Sequence, residues 1–130
     1  MRPMLDRLFV TLGAAFGLCA VAAGAFGAHA LKERLPADLL GVFQTGAQYQ
    51  MFHALALILT GVLVASRPHP AFTVAGWAFA FGVVLFSGSL YALALTGQRK
   101  LGAVTPIGGV AFLAGWAALA VGAVARGKQG

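Results

Sequence analysis

The stretch that decides the fold is residues 8–31, which read LFVTLGAAFGLCAVAAGAFGAHAL and contain no charged side chain. A helix needs about 20 apolar residues to cross a hydrocarbon core about 30 Å thick, and this run has 24. Three more uncharged runs follow it, at residues 39–66, 68–98 and 101–125. Because backbone polar groups in lipid must be satisfied within their own segment, each run should be helical. The sequence therefore predicts four transmembrane helices.

The composition of the whole chain is typical of a membrane protein. Hydrophobic residues make up 60% of its 130 residues and charged residues 9%, against roughly 25% charged in an average globular protein. The net charge is +6, but the basic residues are scattered between apolar runs, which is typical of headgroup anchors rather than of a nucleic-acid surface. We therefore expect a lipid bilayer as partner, and no nucleic acid.

Short links between the apolar runs predict an antiparallel arrangement. We predict helices at residues 8–31, 39–66, 71–97 and 105–125, in a single domain covering 1–130. The resulting fold class is all-α, a four-transmembrane-helix antiparallel bundle. A cleaved signal peptide is disfavoured, because the first apolar run exceeds the usual 7–15 residues.

Basic residues at the helix ends bear on the orientation. Four crossings put both termini on one side, which carries Arg2, Arg7, Arg67, Arg126 and Lys128. The other side carries Lys32, Arg34, Arg99 and Lys100. By the positive-inside rule, five basic residues against four favour cytoplasmic termini.

Helix two opens with an unusual number of polar residues. At 100° per residue, these occupy a broad arc, and the apolar residues Phe43, Ala47, Met51 and Ala54 occupy the remaining one. We expect the apolar arc to face lipid and the polar arc to face protein or water. Two placements are open: residues 37–50 lie in the headgroup zone, or the whole run is one tilted helix whose polar face packs on the other helices.

Polar residues within the apolar runs form a candidate intramembrane cluster. Its members are His29, Gln44, Gln48, Tyr49, Gln50, His53, Ser87 and Tyr91. We favour interhelical hydrogen bonding as their role, and a ligand pocket or polar pathway is the alternative. His29 and His53 raise a haem or metal hypothesis, but their predicted depths differ and no third ligand is near. We therefore predict no metal and no cofactor.

Catalytic groups are scarce. No Asp, Glu, Lys or Arg lies within any of the four predicted helices, and the three acidic residues cannot build a catalytic constellation. The single Cys19 excludes a disulfide within the chain. These features predict that the protein is not an enzyme.

Several strings of the sequence together resemble a known family. They are GAFGAHALK at 24–32, FQTGAQYQMFHAL at 43–55, LFSGSLY at 85–91, TPIGG at 105–109 and GW at 115–116. The chain resembles the family called domain of unknown function 423 over essentially its whole length. The resemblance implies a four-helix protein of the bacterial inner (cytoplasmic) membrane, and it implies no assigned activity.

These observations favour a non-enzymatic membrane protein that self-associates or serves as an accessory subunit of a membrane complex. We expect its contacts to use faces of small residues. These are Gly13, Gly17, Ala20, Gly24 and Ala28 in helix one, and Gly108, Gly109 and Gly115 in helix four. The alternative is a binder or carrier of a small uncharged or amphipathic molecule, a lipid or quinone, through a polar wall on helices two and three.

Overall fold

The structure, a computed structural model, describes residues 2–125, with side chains from residue 4 onward. Its α-helices are α1 (Arg2–His29), α2 (Ala37–Ser66), α3 (Pro70–Gly82), α4 (Gly88–Thr96) and α5 (Thr105–Val124). A π-helical segment, Val83–Ser87, joins α3 and α4 into one rod of 27 residues. Two short 3₁₀ turns, Leu31–Glu33 and Arg99–Ala103, lie in the links. The described chain thus has four rods long and apolar enough to cross a membrane, which confirms the predicted fold class.

The helix ends differ from the prediction by one or two residues in the later rods, and by more at the start of α1. α1 begins at Arg2, not at residue 8, because Asp6 and Arg7 end the apolar run without ending the helix. Backbone hydrogen bonding continues where a rod enters the polar headgroup layer, so a charge does not mark a helix end. α1 also stops at His29, and Leu31 belongs to the following 3₁₀ turn.

Two arginines tie the rods together at opposite ends of the molecule. The Arg67 guanidinium donates to the carbonyl oxygens of Ala123 (3.0 Å) and Ala125 (2.6 Å), which are among the free carbonyls at the end of α5. At the other end, Arg99 Nη2 pairs with Asp38 Oδ2 at 2.9 Å. The links therefore alternate between the two ends, as an antiparallel arrangement requires. Three of the basic groups used to predict the membrane orientation lie outside the described residues: Arg126, Lys128 and the side chain of Arg2. The orientation of the chain in the membrane stays a prediction.

α2 is the central rod. α1 packs chiefly on α2, the α3–α4 rod packs on another side of α2, and α5 packs chiefly on the α3–α4 rod. The apolar arc of α2 points into this packing, since Phe43, Ala47 and Ala54 are buried. The expectation that this arc faces lipid is wrong. Lipid tails are as apolar as a protein interior, so in a membrane shape rather than polarity selects the buried face.

Aromatic rings pack against glycines throughout the interior. A Cβ built on Gly115 would lie 2.6 Å from two ring carbons of Phe79, so only a glycine leaves room for that ring. The other pairs of this kind are Gly76 with Phe9, Gly82 with Phe112 and Gly122 with Phe72. Each pair joins two rods, so close ring-to-backbone packing holds the bundle together.

The small-residue row of α1 only partly follows this packing. Gly13 lies against Ala54 and Ile58 of α2, and Ala20 is buried, whereas Gly24 has open space around it and Ala28 is exposed. Each step of four residues rotates about 40° around a helix, so a row with that spacing winds away from its partner. The first half of the row, from Gly13 to Ala20, is therefore a contact within the chain.

We expect Gly115→Ala to lower the free energy of unfolding by about 1–3 kcal/mol, because the added methyl group overlaps the Phe79 ring. Gly24→Ala is the matched control, since nothing lies within 4 Å of its Cβ position. It should leave stability unchanged or raise it by up to about 1 kcal/mol through helix propensity. Unfolding in mixed micelles with increasing dodecyl sulfate, followed by circular dichroism, measures both. Equal stabilities would contradict the packing described here.

Candidate functional site

A hydrogen-bonded chain links three rods through Gln50. The Tyr91 hydroxyl on α4 donates to Gln50 Oε1 on α2 at 2.6 Å. Gln50 Nε2 then donates to the carbonyl oxygen of Phe16 on α1 at 2.8 Å. Gln50 is buried and Tyr91 half-buried, and these two hydrogen bonds give both side chains a protein partner in place of water. This chain fixes the relative positions of α1, α2 and α4.

Ser87 makes a second contact between the same rods. It lies at the end of the π-helical segment, is fully buried, and donates from Oγ to the carbonyl oxygen of Gly46 at 2.7 Å. A Cβ on Gly46 would lie 3.0 Å from the Tyr91 ring. The absence of a side chain at Gly46 therefore lets the α3–α4 rod approach the backbone of α2.

His53 is buried between α2 and α5 and uses both ring nitrogens. Its Nδ1 lies 2.8 Å from the Tyr49 carbonyl oxygen, and its Nε2 lies 3.0 Å from Trp116 Nε1. A carbonyl can only accept and an indole N–H can only donate, so the proton sits on Nδ1 and Nε2 accepts. The ring stacks on Phe112, with centroids 3.6 Å apart and planes at 7°. These contacts hold His53 as one neutral tautomer.

The contacts of His53 bear on the metal hypothesis. Either ring nitrogen could bind a metal only after its hydrogen bond breaks. Within residues 2–125, no group of three or more His, Cys, Asp or Glu side chains is placed to hold a metal ion. His29 is exposed at the end of α1 and does not join His53. The two histidines therefore form no shared site in this structure.

The structure divides the candidate polar cluster in two. Gln50, His53, Ser87 and Tyr91 point inward and take part in the contacts between rods. Gln44 and Gln48 are exposed on the outer side of α2. Tyr49 is 39% exposed and its ring lies 4.9 Å from that of Phe86. The predicted broad polar wall thus does not form, because the polar residues of α2 point in two directions.

Sequence reasoning missed Trp116 as the partner of His53. A tryptophan within a membrane span, away from its ends, needs a partner for its indole N–H, and this requirement was the available signal. The Phe16 carbonyl that binds Gln50 has no such signal, because any residue supplies a carbonyl. Ser89 and Thr105, whose hydroxyls lie 2.5 Å apart, were likewise not predicted.

A cleft opens beside Tyr91, between α1 and α4. Its volume is about 570 Å³, and it is lined by Ala22, Ala23, Phe26, Phe43, Tyr91 and Leu95. The only polar side chain in this lining is Tyr91, whose hydroxyl already donates to Gln50. In the part of the chain that the structure describes, every buried side-chain nitrogen and oxygen has a partner. The cleft therefore offers a ligand no free side-chain hydrogen-bond donor.

We expect Tyr91→Phe to destabilise the protein by about 0.6–1.7 kcal/mol, the range for hydrogen bonds within membranes. The matched control is Tyr49→Phe, because the Tyr49 hydroxyl has no hydrogen-bond partner among residues 2–125. Unfolding in mixed micelles compares the two, and adding Gln50→Leu completes a double-mutant cycle. A coupling energy near zero between residues 50 and 91 would refute the contact.

The His53 contact predicts a protected indole proton. The chain has two tryptophans of similar exposure, Trp116 at 45% and Trp77 at 48%. Trp77 is the control because its ring lies against Phe9, and only the Trp116 indole N–H donates to a side chain among residues 4–125. In protein labelled with ¹⁵N-tryptophan, the Trp116 N–H should exchange with deuterium slowly. His53→Leu should shift its resonance and speed its exchange, with the Trp77 signal unchanged. Identical exchange of both indoles in the unaltered protein would argue against the bond.

Comparison with known proteins places this chain among small membrane proteins. The family model described as "Protein of unknown function (DUF423)" matches residues 23–109. The UPF0382 membrane protein YwdK of Bacillus subtilis is 47% identical over 119 residues, which cover 91% of this chain and 97% of the relative. The UPF0382 inner membrane protein YgdD of Escherichia coli K12 is 45% identical over 127 residues, with 98% and 97% covered. No solved structure is significantly similar to this chain.

Proposed function

The chain belongs to the DUF423 family, and the relatives compared above are named only as membrane proteins. We propose that it acts by association, as a non-enzymatic subunit of a membrane assembly. The chain is a multi-pass protein of the inner (cytoplasmic) membrane. The four described rods offer a partner surfaces within the bilayer.

The observation that carries the proposal is the outer face of α2. Gln44 and Gln48 are exposed there, whereas Gln50 on the same helix is buried and fully hydrogen-bonded. Lipid tails cannot hydrogen-bond an amide, so an amide exposed at membrane depth is stabilised by a protein partner. All buried side-chain nitrogen and oxygen atoms of the described residues are hydrogen-bonded, so the exposed glutamines of α2, and Gln48 above all because it is the deeper of the two, stand out as a surface for association.

The small-residue faces expected from sequence are only partly open to a partner, at Gly24 and Ala28 of α1. Gly13 packs on α2, and Gly108 and Gly115 pack on Phe86 and Phe79 within the chain. These glycines are therefore not available to a partner. The open face that remains on the central rod carries large apolar side chains together with the two glutamines.

The alternative role is binding or carriage of a lipid or quinone. Its supporting observation is the cleft beside Tyr91, whose volume of about 570 Å³ lies within the range of ligand sites, ~300–1,000 Å³. However, the only polar side chain that lines the cleft is Tyr91, whose hydroxyl already donates to Gln50 and could only accept a hydrogen bond from a ligand. The predicted polar wall is also divided, since Gln44 and Gln48 face away from His53 and Ser87. Association is therefore the better supported role.

Native mass spectrometry of the protein, extracted from its own membrane in a mild detergent, tests the proposal. We expect an assembly heavier than one chain, and we expect the double variant Gln44→Ala, Gln48→Ala to weaken it. Gln98→Ala is the matched control, since Gln98 is exposed in the link before α5.

Two outcomes would count against association. A single chain without any bound polypeptide, in the unaltered protein, would refute it. If that single chain retained a lipid or quinone in a fixed ratio, the alternative role would be supported instead.

A further inference from the structure

We infer that the outer face of α2 binds a second copy of this chain around a twofold axis, an inference that rests on the proposed function and names the partner. The contact is a row of exposed residues, here called the α2 seam. Its members are Gly41, Gln44, Gln48, Phe52, Leu55, Leu59 and Val62.

The members of the α2 seam share one face of the helix. Successive members are three or four residues apart, so they form a single row opposite the buried face of α2. At 1.5 Å per residue, the seam runs for about 32 Å, close to the thickness of the hydrocarbon core. It is therefore a continuous stripe along a whole membrane span.

The rest of the chain leaves about half of each large side chain in the α2 seam uncovered. Phe52, Leu55, Leu59 and Val62 are between 50% and 58% exposed. At Gly41, nothing lies within 4 Å of where a Cβ would be, so a neighbouring backbone can come close there. Large apolar residues along most of the stripe and a glycine at one end form a surface that a second helix can fit.

The depth of Gln48 can be counted from the neighbouring rods. If the 20 residues of α5 are taken as its crossing of the hydrocarbon core, the boundary at this end lies at Thr105. The hydroxyls of Thr105 and Ser89 are in contact, so these two residues lie at the same depth. Ser87 lies two residues, or about 3 Å, deeper, and its hydrogen bond places Gly46 at that level. Gln48 follows Gly46 by two residues and is therefore about 6 Å deeper than Thr105. Gln48 therefore carries an exposed amide within the apolar layer.

The chemistry of an amide favours an identical partner. A glutamine side chain both donates and accepts, so two of them can exchange hydrogen bonds with each other. A second copy inserted in the same orientation carries its own Gln48 at the same depth. A twofold axis along the membrane normal then brings the two amides together and closes the contact at two subunits. A polar residue within an apolar seam also fixes the register of the two helices.

Cysteine cross-linking in native membranes tests the contact. In a Cys19→Ser background, which removes the only native thiol, Leu55→Cys and Leu59→Cys place thiols in the α2 seam and leave Gln48 intact. We expect an oxidant to produce disulfide-linked dimers of this chain. Leu113→Cys is the matched control, because Leu113 is 70% exposed on α5 and should not cross-link.

The outcomes separate the inference from the proposed function. Dimers at the seam thiols alone support both. Adducts at the seam with a different polypeptide, but none with this chain, would overturn the second copy and leave association standing. No polypeptide adduct at the seam would overturn both, and lipid headgroups would then solvate the glutamine. Equal dimer yields at Leu55→Cys and Leu113→Cys would show random collision and would overturn the inference.

The role of the amide is measured separately, by energy transfer between labelled chains in vesicles. Gln48→Ala removes both amides of the pair and should raise the dissociation constant of the dimer by about eight- to three-hundredfold, the equivalent of two membrane hydrogen bonds. Gln48→Asn, which keeps the amide, should recover part of that loss, and Gln98→Ala should have no effect. Unchanged association of Gln48→Ala would overturn the role given to the amide pair.

Discussion

Inside a bilayer no water is present to bind a polar group, and this constraint governs the protein at every level. It requires the backbone of each span to be helical, because a helix satisfies its own peptide groups. It also requires each buried polar side chain to find a protein partner, and within residues 2–125 each one does. The chain from Phe16 through Gln50 to Tyr91 shows the result, since it binds three rods with two hydrogen bonds.

Packing between the rods depends on shape rather than on polarity. Lipid tails are as apolar as a protein interior, so burying an apolar side chain against another rod gains little from the hydrophobic effect. The gain comes from close contact, and rings facing glycines, such as Phe79 at Gly115 and Phe72 at Gly122, bring backbones near each other. The many glycines of this chain are therefore largely internal, which leaves other surfaces for association.

α2 connects the architecture with the proposed function. One side of this rod holds the buried contacts of Gln50 and His53, and the other carries the α2 seam with its exposed Gln48. The inner side fixes the fold of one chain, and the outer side carries the amide that the proposed association would use.

The number of spans, their helical state and the family were all readable from the order of residues, because charge, apolar length and short motifs are properties of a linear chain. The inward face of α2 was not, since Phe43 and Gln48 both meet apolar surroundings and only the fit to neighbouring rods separates them. Two hydrogen bonds also became visible only in the folded chain. One joins His53 to Trp116, 63 residues away, and the other runs from Gln50 to a backbone carbonyl oxygen. Such contacts depend on the rotation and depth of each rod, and these are set by packing among all four.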